Sequence, residues 1–283
     1  MKTIRIGGVP EHFNLPWHLA MEEGNFKNAD LQLEWTDFPG GTGDLNSALR
    51  NNEIDVAVIL TEGIIKDIIA GNSSKIVQTY VQSPLIWGIH VAKESKYHTL
   101  EELEKTKVAI SRNGSGSQLM AYVNAKNEGW DIDDLKFEIV GTIDGAVSAL
   151  QKDTSQYFMW EHFTTKPLID NGTFRRVADC PTPWPCFVIS VREEFLAANK
   201  EEIKKMLSVI NAKTVDFKEI PNIDKTLAAR YGQKIEDIKE WLKLTEWSQQ
   251  NLTEIELENV QESLMDLNLI SEKVDSSDII YNL

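Results

Sequence analysis

Between residues 3 and 81, short apolar runs alternate with amphipathic stretches, and this spacing constrains the chain to strands alternating with helices. That pattern predicts a mostly parallel sheet with helices on both faces. Residues 3–8, 31–35, 54–59 and 75–81 read as strands. Helices are expected at 15–23, stopped by Gly24, at 44–51, and from Thr61 to near Gly71. Residues 85–92 carry no helix signal and read as a strand leaving the first domain. A second alternating block follows. It has a helix at 99–104 with a Thr99/Glu102 capping box, and strands at 108–110, 137–140 and 157–160. Helices are expected at 118–127, 145–152 and 161–170, with an edge strand at 175–178. Residues 185–191 form a second long strand, read as the return crossing. The second block, 88–187, is then an insertion into a first domain of 1–87 and 188–283, with the two crossing strands as hinge. The remainder is helical, with apolar faces at Ile203, Met206, Leu207 and Ile210, at Ile238, Trp241 and Leu242, and at Ile255, Val260, Leu264 and Leu267.

The densest local signal lies in the second block, at Ser111-Arg112-Asn113-Gly114-Ser115-Gly116-Ser117-Gln118. A strand turning through glycine and serine into a helix leaves unpaired N–H groups at the helix start. Those groups and the helix dipole attract an anion or another electron-rich atom. A capped turn with no ligand is the alternative. Pro39-Gly40-Gly41-Thr42-Gly43 is a second glycine-rich turn of the same kind.

Charge narrows the partners. Forty-four acidic against 29 basic residues give a net charge of −15. Such a surface repels phosphate backbones and anionic membranes, so no nucleic-acid partner is expected. Any anionic ligand must be held by local donors against the overall field. No run of about 18 apolar residues is present, and residues 2–6 already alternate as a strand. The chain as written therefore reads as cytoplasmic, with a periplasmic or lipid-anchored protein whose leader has been removed as the alternative. Cys180 and Cys186 are expected as free thiols, and two cysteines without nearby histidines make no zinc site.

In open α/β sheets, ligands gather at the carboxyl ends of the strands. The loops expected there supply Glu11, His12, Phe13, Gly41, Thr42, Thr61 and Glu62 from the first domain. The second supplies Arg112, Ser115, Gly116, Ser117, Trp160 and Glu161, and the crossings add Ser83 and Trp184. Each has a structural alternative. Thr42, Thr61, Glu62 and Glu161 sit where helix-start caps occur, Trp160 and Trp184 suit a core as well as a stacked ligand, and Arg112 suits a surface ion pair as well as an anion clamp. Glu11, Glu62 and Glu161 outnumber Arg112, which favours a ligand carrying N–H donors or a cationic group.

Leu15-Pro16, Leu19-Ala20, Glu22, Gly24 and Phe26, then Gly40-Gly41-Thr42-Gly43 with Ala48-Leu49 and Ile54-Asp55-Val56-Ala57, give the chain a family likeness. It resembles the type II periplasmic-binding-protein superfamily, in particular its nitrate/sulfonate/taurine and thiamine-pyrimidine binding group, over about residues 1–200. The run from Phe158 to Pro167 and Thr182-Pro183-Trp184-Pro185 are the more specific segments. The resemblance implies two α/β lobes joined by a two-strand hinge, closing on a small polar molecule that is delivered to an ABC permease. A monomer without cofactor or catalytic residues is expected. An enzyme like the thiamine-pyrimidine synthases, with Lys166 and His162 near the cleft, is one alternative; those relatives carry a cysteine-rich motif that this chain lacks. An intracellular ligand sensor is the other.

Overall fold

A computed structural model describes residues 1–283. Taken along the chain, β1 (Lys2–Gly8) leads through a short 3-10 turn to α1 (Leu15–Glu22) and α2 (Asn25–Asn28). The order continues with β2 (Leu31–Asp37), α3 (Thr42–Arg50), β3 (Val56–Leu60), α4 (Thr61–Ile69) and β4 (Ser74–Val81). Next come β5 (Ile86–Ala92), β6 (Lys107–Ile110), α5 (Gly116–Glu128), β7 (Lys136–Ile139), α6 (Ile143–Gln151), β8 (Tyr157–Glu161), α7 (Lys166–Asp170) and β9 (Phe174–Pro181). The chain closes with β10 (Phe187–Arg192) and helices α8 (Glu193–Ala198), α9 (Lys200–Val215), α10 (Ile223–Tyr231), α11 (Ile235–Leu244), α12 (Glu254–Asp266) and α13 (Ser276–Ile279).

These elements form two compact units, Met1–Ser83 with Trp184–Leu283, and Pro84–Pro183. Each holds one five-stranded sheet, ordered β2-β1-β3-β10-β4 in the first and β7-β6-β8-β5-β9 in the second. The topology repeats. In each sheet four strands run parallel and one runs against them: β10 lies antiparallel between β3 and β4, and β5 lies antiparallel between β8 and β9. The reversed strand is in each case the first one formed after the chain passes from one unit to the other. Residues 85–92 and 185–191, read from sequence as crossings, are thus interior strands of their sheets, which explains why they are mostly apolar, broken only by the buried His90 and Ser190. All of Ile4, Ile6, Val56, Val58, Val188 and Ile189 are fully buried in the first unit.

The free edge of β4 is covered by the C-terminal chain. Thr79 N–H donates to the Gln250 carbonyl, Gln82 N–H to the Glu246 carbonyl, and Tyr281 N–H to the Ile76 carbonyl. Covering an edge this way removes a template for strand addition. The covering residues, Glu246, Gln250 and Tyr281, lie between and after the last helices.

Four local expectations are corrected. The helix expected at 99–104 is one 3-10 turn, Glu101–Leu103; the Glu102 carboxylate does accept the Thr99 N–H, but Lys105 adopts a left-handed φ of 62° and ends the turn. The helix expected at 161–170 begins only at Lys166, because Glu161 completes β8 opposite Trp87 and Pro167 favours a first-turn position. The edge strand expected at 175–178 runs over eight residues, paired along β5. Ile255 is 73% exposed, and the buried stripe of α12 runs through Leu257, Val260, Gln261 and Leu264.

Candidate functional site

In the first unit, β1, β2 and β3 end on the edge where β10 begins, since Phe187 pairs with Leu60. Two helices start there. Gly41 at φ 73°, ψ −151° turns the chain into α3, a conformation open to glycine alone. The starts of α3 and α4 abut so closely that a Cβ on Gly63 would lie 2.3 Å from Thr42 Cγ2. Two positive helix ends are thereby brought together.

Glu62 sits in the first turn of α4, only 3% exposed. Its Oε2 accepts the Trp184 indole N–H at 2.8 Å. Burial pushes its carboxyl up to about 7; its own backbone N–H, the Trp184 bond and Lys66 pull the other way. Thr61 Oγ1 donates to the Pro185 carbonyl at 2.6 Å, tying α4 to the segment before β10. Ser83 accepts the Glu246 N–H at 3.0 Å and its carbonyl accepts the Cys186 N–H.

His12 and Phe13 lie in an aromatic cluster. The His12 ring stands edge-on to Trp241 at 4.3 Å and stacks on Phe13 at 4.9 Å, and burial lowers its imidazole to about 3, so it is neutral at physiological pH. Tyr80 Oη donates to the Phe13 carbonyl and holds this turn. Tyr231, whose ring centroid lies 6.0 Å from that of His12, and Trp241 come from the C-terminal helices. Sequence reasoning gave those helices no place here, since their apolar stripes look like ordinary packing. Glu11 is half-buried in the same turn.

In the second unit, β6 ends in the serine-glycine turn. Ser115 is the N-cap of α5 and its Oγ accepts the Gln118 N–H at 3.4 Å. Ser117 Oγ accepts the Ser111 N–H at 3.0 Å and contacts Ser115 Oγ at 3.0 Å. The hydroxyls of Ser115 and Ser117 are buried and spent on the turn itself. The main-chain N–H groups of Gly116 and Ser117 make no hydrogen bond. Arg112 is exposed in the same loop.

Trp87, opposite Glu161 in the ladder, was read from sequence only as part of a crossing strand. Its ring lies against the first residue of α5: a Cβ on Gly116 would sit 3.0 Å from Cη2 and 3.2 Å from Cζ2. The indole is 5% exposed and its N–H has no partner. Trp160 meets Trp87 edge-on at 6.2 Å but stacks on Phe158 at 5.5 Å, against the core beneath α6. Glu161 is buried; its carboxylate accepts the Thr164 N–H, and burial raises its carboxyl above the usual range. Below this edge a polar chain links His90 to Thr165 Oγ1 at 2.9 Å and His162 Nδ1 to Asp179 Oδ1 at 2.8 Å.

Residues 87–180 match the family model described as Ca3427-like PBP. The whole chain is similar to the CA3427 gene product of Candida albicans, described as defining a new family with the generic periplasmic binding protein fold. Identity is 26%, the TM-score 0.90, and the match covers 100% of this chain and 98% of that one. It is also similar in fold to the alkanesulfonate-binding protein SsuA of Xanthomonas axonopodis pv. citri bound to MOPS (16% identity, TM-score 0.83, 99% and 98% covered). A third neighbour is the ligand-binding component of an ABC-type import system from Staphylococcus aureus (15% identity, TM-score 0.78, 100% and 97% covered). No curated protein sequence matches. The chain has the type II periplasmic-binding-protein fold.

Proposed function

We propose that this chain is a solute-binding protein that takes a small polar molecule at the carboxyl ends of its sheet strands. The observation that carries the reading is the pair of unbonded amides, Gly116 and Ser117, at the start of α5. Helix-start amides left without an acceptor at the ligand-prone edge of an α/β sheet are suited to hold a ligand oxygen. In the first unit the starts of α3 and α4 lie side by side, although the Thr61 amide there is already bonded to the Cys186 carbonyl. The ligand-facing set is Glu11, His12, Phe13, Gly41, Thr42, Thr61, Glu62 and Ser83 with Trp184, and Arg112, Ser115, Gly116, Ser117, Trp160 and Glu161. Within it, Thr61, Ser83, Ser115 and Ser117 act through the backbone they position.

The solute is handed to an ABC permease, a role supported by the description of the Staphylococcus aureus neighbour as part of an import system. No helix is long and apolar enough to cross a membrane, and in this reading the membrane passage belongs to the permease.

A thermal-shift screen over sulfonates, phosphonates, carboxylates, amino acids and aminopyrimidines tests the reading. A true ligand at 100 times its dissociation constant adds about 2.7 kcal/mol to stability, a shift of several degrees. A flat response to every class refutes it.

A further inference from the structure

We propose that the outer edge of β7 is an interface at which two copies of this chain pair, strand against strand, about a two-fold axis through Phe137. This interface is independent of solute binding and departs from the monomer expected from the resemblance.

β7 is the last strand of the second sheet and has a neighbour, β6, on one side only. The ladder fixes which main-chain groups point outward. Val140 N–H donates to the Ile110 carbonyl. Main-chain groups alternate sides along a strand, so those of Lys136 and Glu138 also face β6. The N–H and C=O groups of Phe137 and Ile139 therefore face away from the sheet. The β4 edge of the first sheet is covered by the C-terminal chain, whereas this edge is open, and an open edge is a template for another strand. Its side chains are not those of a solvated edge. Leu135, Phe137 and Ile139 alternate on one face, where the Phe137 ring meets that of Tyr122 from α5 at 5.3 Å. Ile139 is 58% exposed. Lys136 and Glu138 occupy the opposite face.

The charges decide what fits this edge. A second copy running antiparallel about an axis at Lys136 or Glu138 would set like charges opposite each other. An axis at Ile139 would leave Lys136 opposite Thr142, with no charge partner. An axis at Phe137 sets Lys136 of each copy opposite Glu138 of the other, the favourable cross-strand pair. The Glu138 carboxylate already accepts from Thr154 Oγ1 at 2.9 Å and Ser155 Oγ at 2.8 Å, which fixes its position and leaves lone pairs for a lysine. The same axis joins the outward N–H and C=O groups of the two Phe137 residues reciprocally. It also brings Ile139 N–H to the Leu135 carbonyl of the other copy on both sides. On the apolar face, Phe137 meets Phe137 and Ile139 meets Leu135, with Tyr122 at the margin. Hydrogen bonding, charge and apolar burial agree on one register, and that agreement singles out a second copy over an arbitrary extended peptide. The seam is short, so the dimer is weak and reversible.

Sedimentation equilibrium of the full chain over a concentration series, at about 0.15 M salt, tests the interface. Repulsion between two chains of net −15 is screened there beyond about 8 Å. The expected result is a monomer–dimer equilibrium. Lys136→Glu and Glu138→Lys each set like charges opposite, and each should weaken self-association about tenfold or more. Mixed in equal amounts, the two variants present opposite charges across the seam again, and a heterodimer should form about as well as the parent dimer. Lys136 and Ile139 are exposed, so Lys136→Glu and Ile139→Lys report on the seam even if Glu138→Lys, which loses the Thr154 and Ser155 bonds, does not fold. A single-chain mass up to about 1 mM overturns the proposal. So does a dimer that Lys136→Glu and Ile139→Lys leave unchanged, and so do two folded charge variants that stay apart when mixed.

Discussion

Glu62→Gln isolates the energetic consequence of holding a carboxyl in the dry start of α4. Glutamine keeps an oxygen to accept the Trp184 N–H and removes the ionisable proton. The Glu62 carboxyl goes from 4.5 to about 7 because burial penalises its charged form. Below pH 4.5, folded and unfolded chains both carry the proton and the group is neutral in stability. Between 4.5 and 7 the unfolded chain ionises while the folded chain keeps its proton. Raising the pH through that window therefore destabilises the fold by about 1.4 kcal/mol per unit. The accumulated loss is about 3 kcal/mol by pH 8. Urea unfolding of the parent and of Glu62→Gln, followed by fluorescence at half-unit steps from pH 4.5 to 8, gives the difference directly. Subtracting the two profiles cancels every other titrating group, Glu161 included. The variant should gain on the parent by about 3 kcal/mol across the series and level off above pH 7. A difference constant to within about 0.5 kcal/mol would show that Glu62 titrates as an ordinary surface carboxyl, and the account of this helix start would be wrong.

Gly63→Ala puts a methyl 2.3 Å from Thr42 Cγ2 and should cost about 1–3 kcal/mol by overpacking, despite alanine's better helix propensity. Adding Thr42→Ser removes the opposing methyl and should recover most of the loss, whereas simple additivity of the two changes would contradict the contact. Asp55 accepts from Arg5 at 2.6 Å and from Arg192 at 3.1 Å; Asp55→Ala strands both guanidinium groups and should cost about 3 kcal/mol or more in urea unfolding at pH 7. The two arginines hold the Asp55 carboxyl below 3.8 against the cost of its burial, so its contribution is present above that pH and should fade only as the pH falls further. Cys180 is buried and its thiol is pushed up to about 11; at pH 8 it should react with Ellman's reagent far more slowly in the native chain than in urea, and equal rates would argue against its burial.

The alternation of short apolar runs with amphipathic stretches made the two sheets legible, because strands covered by helices on both faces lose their polar residues. Strand direction was not legible. Residues 86–92 and 187–192 have the composition of any buried strand, and nothing in Ile-Trp-Gly-Ile-His-Val-Ala says that it runs against its neighbours; only pairing across the sheet decides that. Helix lengths failed where a single tertiary contact overrode local preference, as at Glu161, held in β8 opposite Trp87. The site was harder still, for a chemical reason. Capping a helix and binding a ligand use the same donors and acceptors, so Gly114-Ser115-Gly116-Ser117 reads alike for both. The structure separates them by showing which groups are already used: the Ser115 and Ser117 hydroxyls are, and the two amides behind them are not. Trp87 carries no signal of its own in the sequence, because one tryptophan in an apolar strand is ordinary. It is set apart by a glycine 29 residues later in the sequence that makes room for its ring.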